Sequence, residues 1–382
     1  MKILIAADSF KDALDAFGVC AAISRGVAVA NPELDIQCFP LADGGEGSVD
    51  VLAHHLGGQK QSVQVSDPLG RKITTDYLLA QDSTVAILEM AKACGLQLLT
   101  PEERNPLRTS TYGLGEMIAE AIERGVDKIV LAIGGSATND AGIGMATALG
   151  IQFLDESGAR LTGIGADLLA VKSIHWPEEL RTKLSKVEFS VLCDVKNKLY
   201  GPQGAAHVFG KQKGATPAAI EQLDAGLKNI AAVLQQEELA QHEGAGAAGG
   251  LGFGAMVFLN ARLHRGIDLI MEMTNFETAV RTADLILTGE GKIDGQTADG
   301  KLIQGITALA TKHQKPVIAF CGALEAPPQA VHQLGLQAAF SICNQPLSLA
   351  EALANTAANL EATAYNITQT LTCWTKPYTT IA

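Results

Sequence analysis

The chain has 382 residues, of which 47% are hydrophobic and 18% charged, and its formal net charge is −12. This length predicts two or three domains, and the apolar content excludes a disordered chain. The acidic excess argues against a general nucleic-acid binder, because backbone affinity comes from clustered Lys and Arg. A small anionic ligand stays compatible with it, since backbone N–H groups at a helix start can hold one.

The cysteines and the apolar runs indicate where the protein works. There are seven cysteines and no Cys-x-x-Cys pair, which speaks against a zinc cluster and a disulfide framework. No uncharged apolar span reaches the roughly 18 residues of a transmembrane helix. Asp8, Lys11 and Asp12 follow the N-terminal apolar run too early for a signal peptide. We therefore expect a soluble cytoplasmic protein that binds neither membrane nor nucleic acid.

Two patterns of predicted elements follow one another along the chain. Up to about residue 65, apolar strands alternate with helices, which is typical of a parallel sheet. The runs QSVQV, KITTDYLL and TVAILEM then predict hairpins, and after about residue 270 the strand–helix alternation returns. The predicted strands are 2–7, 37–42, 128–133, 188–193, 284–288, 316–320 and 338–343, and the predicted helices are 12–29, 45–57, 108–124, 141–149, 216–241, 301–313, 327–334 and 348–371.

These patterns predict an α/β protein with a discontinuous doubly wound domain, of Rossmann or flavodoxin-like type, and a second α/β domain inserted into it. The split domain would comprise residues 1–67 plus 270–382, and the inserted domain residues 68–269. Three consecutive domains fit the same periodicity, so the pattern alone leaves both arrangements open.

Polar or glycine-rich segments follow five of the predicted strands, and ligands of open α/β sheets bind beyond the carboxyl ends of strands. The first segment is 8–12. Ser9 and Asp12 have the spacing of a capping box, which is the simple interpretation. Lys11 in a first helical turn would oppose the helix dipole, so a bound phosphate or carboxylate would compensate it.

The second and third segments precede predicted helices. Asp43 and Glu46 lie among Gly44, Gly45 and Gly47, where glycine lets a backbone approach a ligand closely. In the segment 134–144, hydroxyl, amide and backbone N–H groups are expected to face an anion. It lacks the Lys of a Walker A loop and the last glycine of the dinucleotide fingerprint. Ordinary turns are the alternative for both.

The fourth and fifth segments supply further acidic groups. Asp194 stands where an apolar strand stops, a position for a catalytic carboxylate, a metal ligand or a simple turn residue. The segment 289–297 follows the strand 284–288. Two further glycine-rich matches, 295–301 and 244–249, are rejected because one lacks the Mg²⁺-binding Ser or Thr and the other lacks a preceding strand. The absence of a Gly-x-Ser-x-Gly elbow weighs against a serine hydrolase.

Taken together, these segments resemble the bacterial type I glycerate kinase family. The resemblance runs from residue 1 to about 371. Its motifs, in order, are ADSFKD, PLADGGEGS, EMAKACGL, RTSTYGLG, GGSATNDAGIGMATALG, LCDVKNKLYGPQGAA, GAAGGLGFG and LTGEGKIDGQT. Eight ordered motifs are far more specific than any one glycine-rich loop.

The resemblance implies an ATP- and Mg²⁺-dependent phosphotransferase with an alcohol group as acceptor, which phosphorylates the organic acid D-glycerate. 2-Phosphoglycerate is the favoured product and 3-phosphoglycerate the other. It also implies the discontinuous doubly wound domain with an inserted α/β domain. Phosphoryl transfer is mostly positioning and charge neutralisation, which suits these residues.

Candidate roles follow from this activity. We expect Asp194 to act as the general base, with Asp43 as second choice. The catalytic candidates are Asp194, Lys11, Asp43 and Lys292; the substrate-binding ones Asp8, Ser9, Gly44, Gly45, Glu46 and Arg71; the nucleotide- and phosphate-binding ones Gly134, Gly135, Ser136, Thr138, Asn139, Asp140, Gly289, Glu290, Gly291 and Asp294; and the metal ligands Asp194 and Glu290.

Several alternatives stay open at this stage. The chain can be a kinase of another small hydroxy acid or a non-enzymatic small-molecule sensor. A Rossmann-type dehydrogenase is disfavoured, because no intact Gly-x-Gly-x-x-Gly follows a strand. We expect a monomer or a homodimer, and an ATPase assay with and without glycerate separates these functions.

Overall fold

The computed structural model describes residues 1–44, 47–294 and 301–375. It divides into two compact units, Met1–His55 with the chain from Ile267 onward, and Leu56–Gly266. Helices and strands alternate in both, so the predicted α/β class is confirmed. The predicted boundaries at 67/68 and 269/270, and the independence of the two domains, stay predictions.

The described residues form the following elements. The strands are β1 Lys2–Ile5, β2 Asp35–Cys38, β3 Gln59–Ser66, β4 Lys72–Ala80, β5 Val85–Glu89, β6 Lys128–Ala132, β7 Gln152–Leu154, β8 Ser173–His175, β9 Glu188–Leu192, β10 Arg262–His264, β11 Leu285–Ile293, β12 Val317–Leu324 and β13 Ala338–Ser341. The α-helices are α1 Ala16–Ala30, α2 Ser48–Leu56, α3 Ala91–Cys94, α4 Tyr112–Glu123, α5 Ile143–Leu149, α6 Glu178–Leu184, α7 Ala205–Phe209, α8 Pro217–Val233, α9 Ala247–Leu259, α10 Gly266–Met273, α11 Phe276–Thr282, α12 Lys301–Lys312, α13 Pro328–Gln333, α14 Leu349–Ala354 and α15 Thr356–Thr375.

The first unit is built on a parallel sheet with the strand order β13-β12-β11-β1-β2. The chain winds outward from β1 to β2, re-enters beside β1 as β11, and then winds the other way to β12 and β13. This reversal makes the sheet doubly wound and places a topological switch point between β1 and β11. Both ends of the chain therefore contribute strands to one sheet.

The second unit is built on a mixed sheet with the strand order β10-β9-β6-β5-β4-β3. Strands β3, β4 and β5 pair antiparallel, which confirms the predicted hairpins. Strands β5, β6, β9 and β10 pair in parallel, so their carboxyl ends lie along one edge. A separate two-stranded sheet joins β7 and β8.

Apolar strands fill both cores. In the first unit, Ile3 and Ile5 of β1 are fully buried and pack in one cluster with Val19 and Ile23 of α1. A strand buried on both faces needs an apolar side chain at every buried position, and the run ILIAA after Lys2 has this pattern. None of the described helices is long and apolar enough to span a bilayer.

Helices α1 and α15 pack closely at Gly26. A Cβ atom added there would lie 2.2 Å from the carbonyl oxygen of Glu361 and 2.9 Å from the Cβ of Ala364. Beside this contact, Arg25 and Glu361 form an ion pair of 2.8 Å. The absence of a side chain at Gly26 therefore sets how near the two helices can come.

We predict that Gly26→Ala destabilises the fold. Helix propensity alone favours Ala by about 1 kcal/mol, whereas overpacking costs about 1–3 kcal/mol, and a backbone oxygen cannot move aside as a side chain can. Denaturant unfolding measures whether Gly26→Ala lowers or raises the free energy of unfolding. As a control, Ala28→Gly at an exposed position of the same helix measures the effect of helix propensity alone. A Gly26→Ala protein that is more stable than the unaltered one contradicts the packing argument.

Candidate functional site

The carboxyl ends of β1, β2 and β11 carry the polar segments of the first unit. Asp8 follows β1, and its N–H donates to the carbonyl oxygen of Gly289 in β11 at 3.4 Å. Asp43 follows β2, the other neighbour of β1. The switch point between β1 and β11 is thus flanked by residues that the sequence singled out as candidates, which is where open α/β sheets bind ligands.

The segment 8–14 is a loop, so the predicted helix start at residue 12 is wrong. Asp12 has a φ of +62°, and helix α1 begins at Ala16 with Asp15 as its N-cap. The Asp15 carboxylate accepts the N–H of Gly18 at 2.7 Å, which replaces the predicted cap by Ser9. Lys11 therefore lies outside the first helical turn, and the dipole argument for a compensating anion beside it does not hold.

Asp8 is an unusual carboxyl group. Burial first, and the nearby charge of Asp43 second, raise the pKa of Asp8 from its ordinary 3.8 to about 7. Its Oδ1 accepts the N–H of Ser9 at 2.6 Å, which opposes this rise. Near neutral pH, Asp8 can therefore gain or lose a proton, as an acid–base group must.

A cavity of about 430 Å³ opens beside this carboxyl group. Among the described residues, its charged lining comprises the acidic residues Asp8, Asp12, Asp15 and Asp50 and one cation, Lys11. Such a lining suits a divalent cation, or a ligand that meets a protonated Asp8, better than a bare anion. Gly44 follows Asp43 with a φ of +101°, while the candidates Gly45 and Glu46 lie outside the described residues.

Strand β11 is longer than the predicted strand 284–288 and includes the first part of the polar segment. Strand β11 continues to Ile293, with Glu290 in register with Cys321 and Ile293 with Leu324. Gly289 and Gly291 therefore belong to the strand. Lys292 forms ion pairs with Asp294 at 3.1 Å and with Glu325 at 2.9 Å, which raise the pKa of Lys292.

In the second unit, the segment 134–140 follows β6 and lies against the residues that follow β5. The N–H of Ala137 donates to the carbonyl oxygen of Cys94 at 2.8 Å, and the N–H of Leu96 donates to Gly135 at 3.0 Å. These bonds join the end of the motif EMAKACGL to the glycine-rich loop.

The N–H groups at the start of α5 already have partners inside the protein, so this end of the segment does not offer them to an anion. The buried carboxylate of Asp140 accepts the N–H groups of Gly142 at 3.1 Å and Gly144 at 3.3 Å. It also accepts the N–H and the hydroxyl of Thr111, at 2.7 and 2.8 Å. The N–H of Met145 donates to the Thr111 hydroxyl at 2.8 Å. Asp140 therefore caps the helix from inside the protein.

The beginning of this loop is accessible to solvent. Gly134 and Gly135 are exposed, and a Cβ atom added to Gly134 would meet no heavy atom within 4 Å. Thr138 and Asn139 are fully buried, yet the Thr138 hydroxyl and both polar atoms of the Asn139 amide have no hydrogen-bond partner among the described residues. Unpaired buried polar groups are rare and mark places where water or a ligand binds.

Lys213 joins this loop from the chain that follows α7. It is 2% exposed, and its Nζ donates to the Ser136 hydroxyl and to the carbonyl oxygen of Thr138, both at 2.7 Å. Burial lowers the pKa of Lys213 to about 7, and the charge of Asp140 opposes this. No local pattern distinguishes Lys213, because Lys211 two residues earlier has similar neighbours and is exposed.

Asp194 and Arg71 have structural partners in the second unit. Asp194 follows β9 as predicted, and its Oδ1 accepts the N–H of Gly266 at 3.1 Å. Arg71 binds Asp67 at 2.5 Å and Glu103 at 2.6 Å, and its side chain is 50% exposed. The Arg71 guanidinium group thus already has two carboxylate partners.

Comparison with known proteins identifies a family to which this chain is similar. A model described as the glycerate kinase family matches residues 3–372. A glycerate kinase of Halalkalibacterium halodurans is 42% identical over 98% of this chain and 99% of the relative, and a glycerate 2-kinase of Escherichia coli is 39% identical over 97% and 98%. A crystal structure described as a glycerate kinase 2 of Salmonella typhimurium LT2 superposes with a TM-score of 0.88 at 40% identity, covering 98% of this chain and 99% of the other.

We predict that Asp8→Asn stabilises the fold above neutral pH. Between about pH 4 and 7, folded Asp8 keeps a proton that the unfolded chain has released, so its contribution to stability falls as the pH rises through this window. Asn carries no charge and avoids this loss. Thermal unfolding should give a higher Tm for Asp8→Asn than for the unaltered protein at about pH 8, and a smaller difference at about pH 4.

The matched control is Asp12→Asn, an exposed position in the same loop. It should show no comparable gain at the higher pH. An Asp8→Asn protein with an unchanged Tm at both pH values would contradict the buried, proton-holding state of Asp8.

Proposed function

Because this chain belongs to the glycerate kinase family, we propose that it transfers the γ-phosphoryl group of ATP to a hydroxyl of D-glycerate, with 2-phosphoglycerate as the product. The observation that carries the proposal is the family match, which covers residues 3–372 and so includes the polar strand ends of both units. We assign the chain to the bacterial type I branch and propose that it works in the cytoplasm, as a monomer or homodimer.

In the first unit, we propose that the segments after β1 and β2 hold the substrate. Asp8, Ser9 and Gly44 are described there, and Gly45 and Glu46 belong to the same proposal although they lie outside the described residues. Lys11 is the exposed cation of the cavity, and it supplies the charge that a carboxylate or a transferred phosphoryl group requires. Arg71, from the second unit, is the remaining substrate-binding candidate.

We propose that the nucleotide phosphates bind at Gly134–Asp140 and at Gly289–Asp294. Support for the first comes from the exposed Gly134–Gly135 backbone and from the unpaired polar atoms of Thr138 and Asn139. For the second, Lys292 lies at the end of β11 with its side chain 49% exposed. Its ion pairs with Asp294 and Glu325 hold the ammonium group at this strand end, where it can meet a phosphate.

Mg²⁺ supplies charge neutralisation and phosphate orientation in phosphoryl transfer, and we propose Asp194 and Glu290 as its ligands. Among the described residues, no group of three or more His, Cys, Asp or Glu side chains is arranged to hold a metal ion. Mg²⁺ usually binds through one or two carboxylates together with the phosphates of the nucleotide. The acidic cavity around Asp8 also suits a cation.

A carboxylate is needed to take the proton of the attacking hydroxyl, and we propose Asp194 for this task with Asp43 as the second choice. Asp194 follows β9, next in the sheet to β6, which leads into the Gly134 loop. Its Oδ1 accepts the N–H of Gly266, which holds the carboxylate at this strand end. Asp43, the second choice for the base, lies close enough to Asp8 for its charge to raise the pKa of Asp8. The two carboxyl groups therefore form a pair.

We predict that the purified protein forms ADP from ATP and Mg²⁺ when D-glycerate is added, and far less without it. The product position is measured by ³¹P NMR with proton coupling. Phosphorus on C2 couples to one carbon-bound proton and gives a doublet, whereas phosphorus on C3 couples to two and gives a triplet. ADP formation with a different hydroxy acid but not with D-glycerate would overturn the substrate, and a triplet would overturn the product.

We predict that Asp194→Asn lowers kcat by about 10²–10⁴ with little change in the KM for glycerate, because Asn keeps an oxygen for the N–H of Gly266 but cannot take a proton. Steady-state kinetics and Tm are measured on the same samples. Partial recovery of rate with added Mn²⁺ indicates a metal ligand instead. A lower Tm with kcat within a few-fold of normal contradicts both roles, and Asp43→Asn is then the variant that should lose the rate.

A further inference from the structure

Lys213 is a fully buried cation that the roles proposed above do not use. Its Nζ reaches two atoms of the Gly134–Asp140 loop, the Ser136 hydroxyl oxygen and the Thr138 carbonyl oxygen, both at 2.7 Å. The loop is 75–77 residues away in sequence. A contact of this span is made by the tertiary fold and not by local turn geometry.

Stability alone is a poor reason for such a residue. An ammonium group loses its hydration on burial, and apolar side chains of similar volume often replace buried charges without loss of stability. Burial has lowered the pKa of Lys213 to about 7, which shows how unfavourable the charge is in this place, even with Asp140 nearby. A buried lysine that contacts a ligand-binding loop is better explained by what it does to that loop.

The contact with Ser136 has a chemical consequence. A hydroxyl oxygen that accepts a hydrogen bond from an ammonium group has its own O–H left to donate. Ser136 is 7% exposed and immediately follows the exposed glycines Gly134 and Gly135. The second contact holds the Thr138 carbonyl, which fixes the backbone one residue before the unpaired amide of Asn139.

We propose that Lys213 is a positioning residue that shapes the Gly134–Asp140 loop for an anionic ligand, the triphosphate of the nucleotide. It acts through Ser136, whose hydroxyl it orients, and through the Thr138 carbonyl, which it holds in place. Its positive charge beneath the loop also favours a negative charge above it. The choice of ligand rests on the proposed kinase function.

The test measures binding of the non-hydrolysable analogue AMP-PNP with Mg²⁺ by calorimetry, so that it does not depend on turnover. Lys213→Met keeps the length of the side chain and removes its charge and donors. We expect its Kd to rise about tenfold or more, the size of one lost charge-assisted hydrogen bond. The matched control is Lys211→Met, an exposed lysine of the same 3₁₀ turn, which should stay within about twofold of the unaltered protein.

A double-mutant cycle tests whether Lys213 acts through Ser136. Ser136→Ala should also weaken binding, and the double variant should be less affected than the product of the two single effects, because both substitutions remove one shared interaction. Gly134→Val is the reference for direct blockage. Its side chain enters space that is open in the structure, so it should abolish binding at an unchanged Tm.

The outcomes separate the explanations. An unchanged Kd for Lys213→Met with an altered Tm overturns the proposal and makes Lys213 a structural residue. Independent effects of Lys213→Met and Ser136→Ala overturn the route through Ser136. If Lys213→Met does not fold, Ser136→Ala decides, and an unchanged Kd for it counts against the proposal.

A failure of the proposed kinase activity can be distinguished from a failure of the proposed role of Lys213. An unaltered protein that binds AMP-PNP but phosphorylates no glycerate overturns the kinase assignment for this substrate, while the Kd comparison still decides the role of Lys213. An unaltered protein that binds no AMP-PNP overturns the assignment of this loop to the nucleotide and the positioning role with it.

Discussion

The parallel pairing of β1 with β11 is the constraint on which the first unit depends. It sets Ile3 opposite Leu285 and Ile5 opposite Leu287, and so joins residues that are more than 280 positions apart. Because β2 lies on the other side of β1, the chain must reverse its winding at this pair, and a crevice forms beyond the strand ends. Asp8 is placed there by β1, which is why a carboxyl group so close to the N-terminus becomes buried and proton-holding.

Much of this frame could be predicted from the sequence, because short apolar runs and glycine-rich strand ends are local signals. The misplaced elements have a common cause. The capping-box spacing at Ser9 was outcompeted by Asp15, since the loop at 8–14 closes on itself through the pairing of Phe10 with Leu14. The strand at 284–288 runs on to Ile293 because β12 pairs with it, and a local pattern of glycines and charges does not reveal a partner strand.

For the segment Gly134–Asp140, the hydrogen bonds inside the protein are less predictable from the sequence than the position of the segment. The residue types after β6 predict a glycine-rich segment there, but they do not predict the role of each residue in it. From the sequence, Asp140 resembles the other polar residues of a ligand-binding loop. In the structure, its carboxylate accepts hydrogen bonds from Thr111, Gly142 and Gly144 inside the protein. Lys213 reads as a surface lysine between two glycines. Side-chain hydrogen bonds between distant segments decide both cases, and no periodicity encodes them.

Asp8 and Lys213 show the same physical feature in two different units. Each is an ionisable group whose pKa has moved toward neutrality mainly through burial, upward for the carboxyl and downward for the ammonium group, to about 7 in both cases. Burial of such groups opposes folding, and a more stable chain would carry apolar residues there. Asp8 follows strand β1, and Lys213 contacts the glycine-rich loop that follows β6. Proteins accept instability of this kind where an active site requires it, which makes these two groups candidates for functional residues independently of any motif.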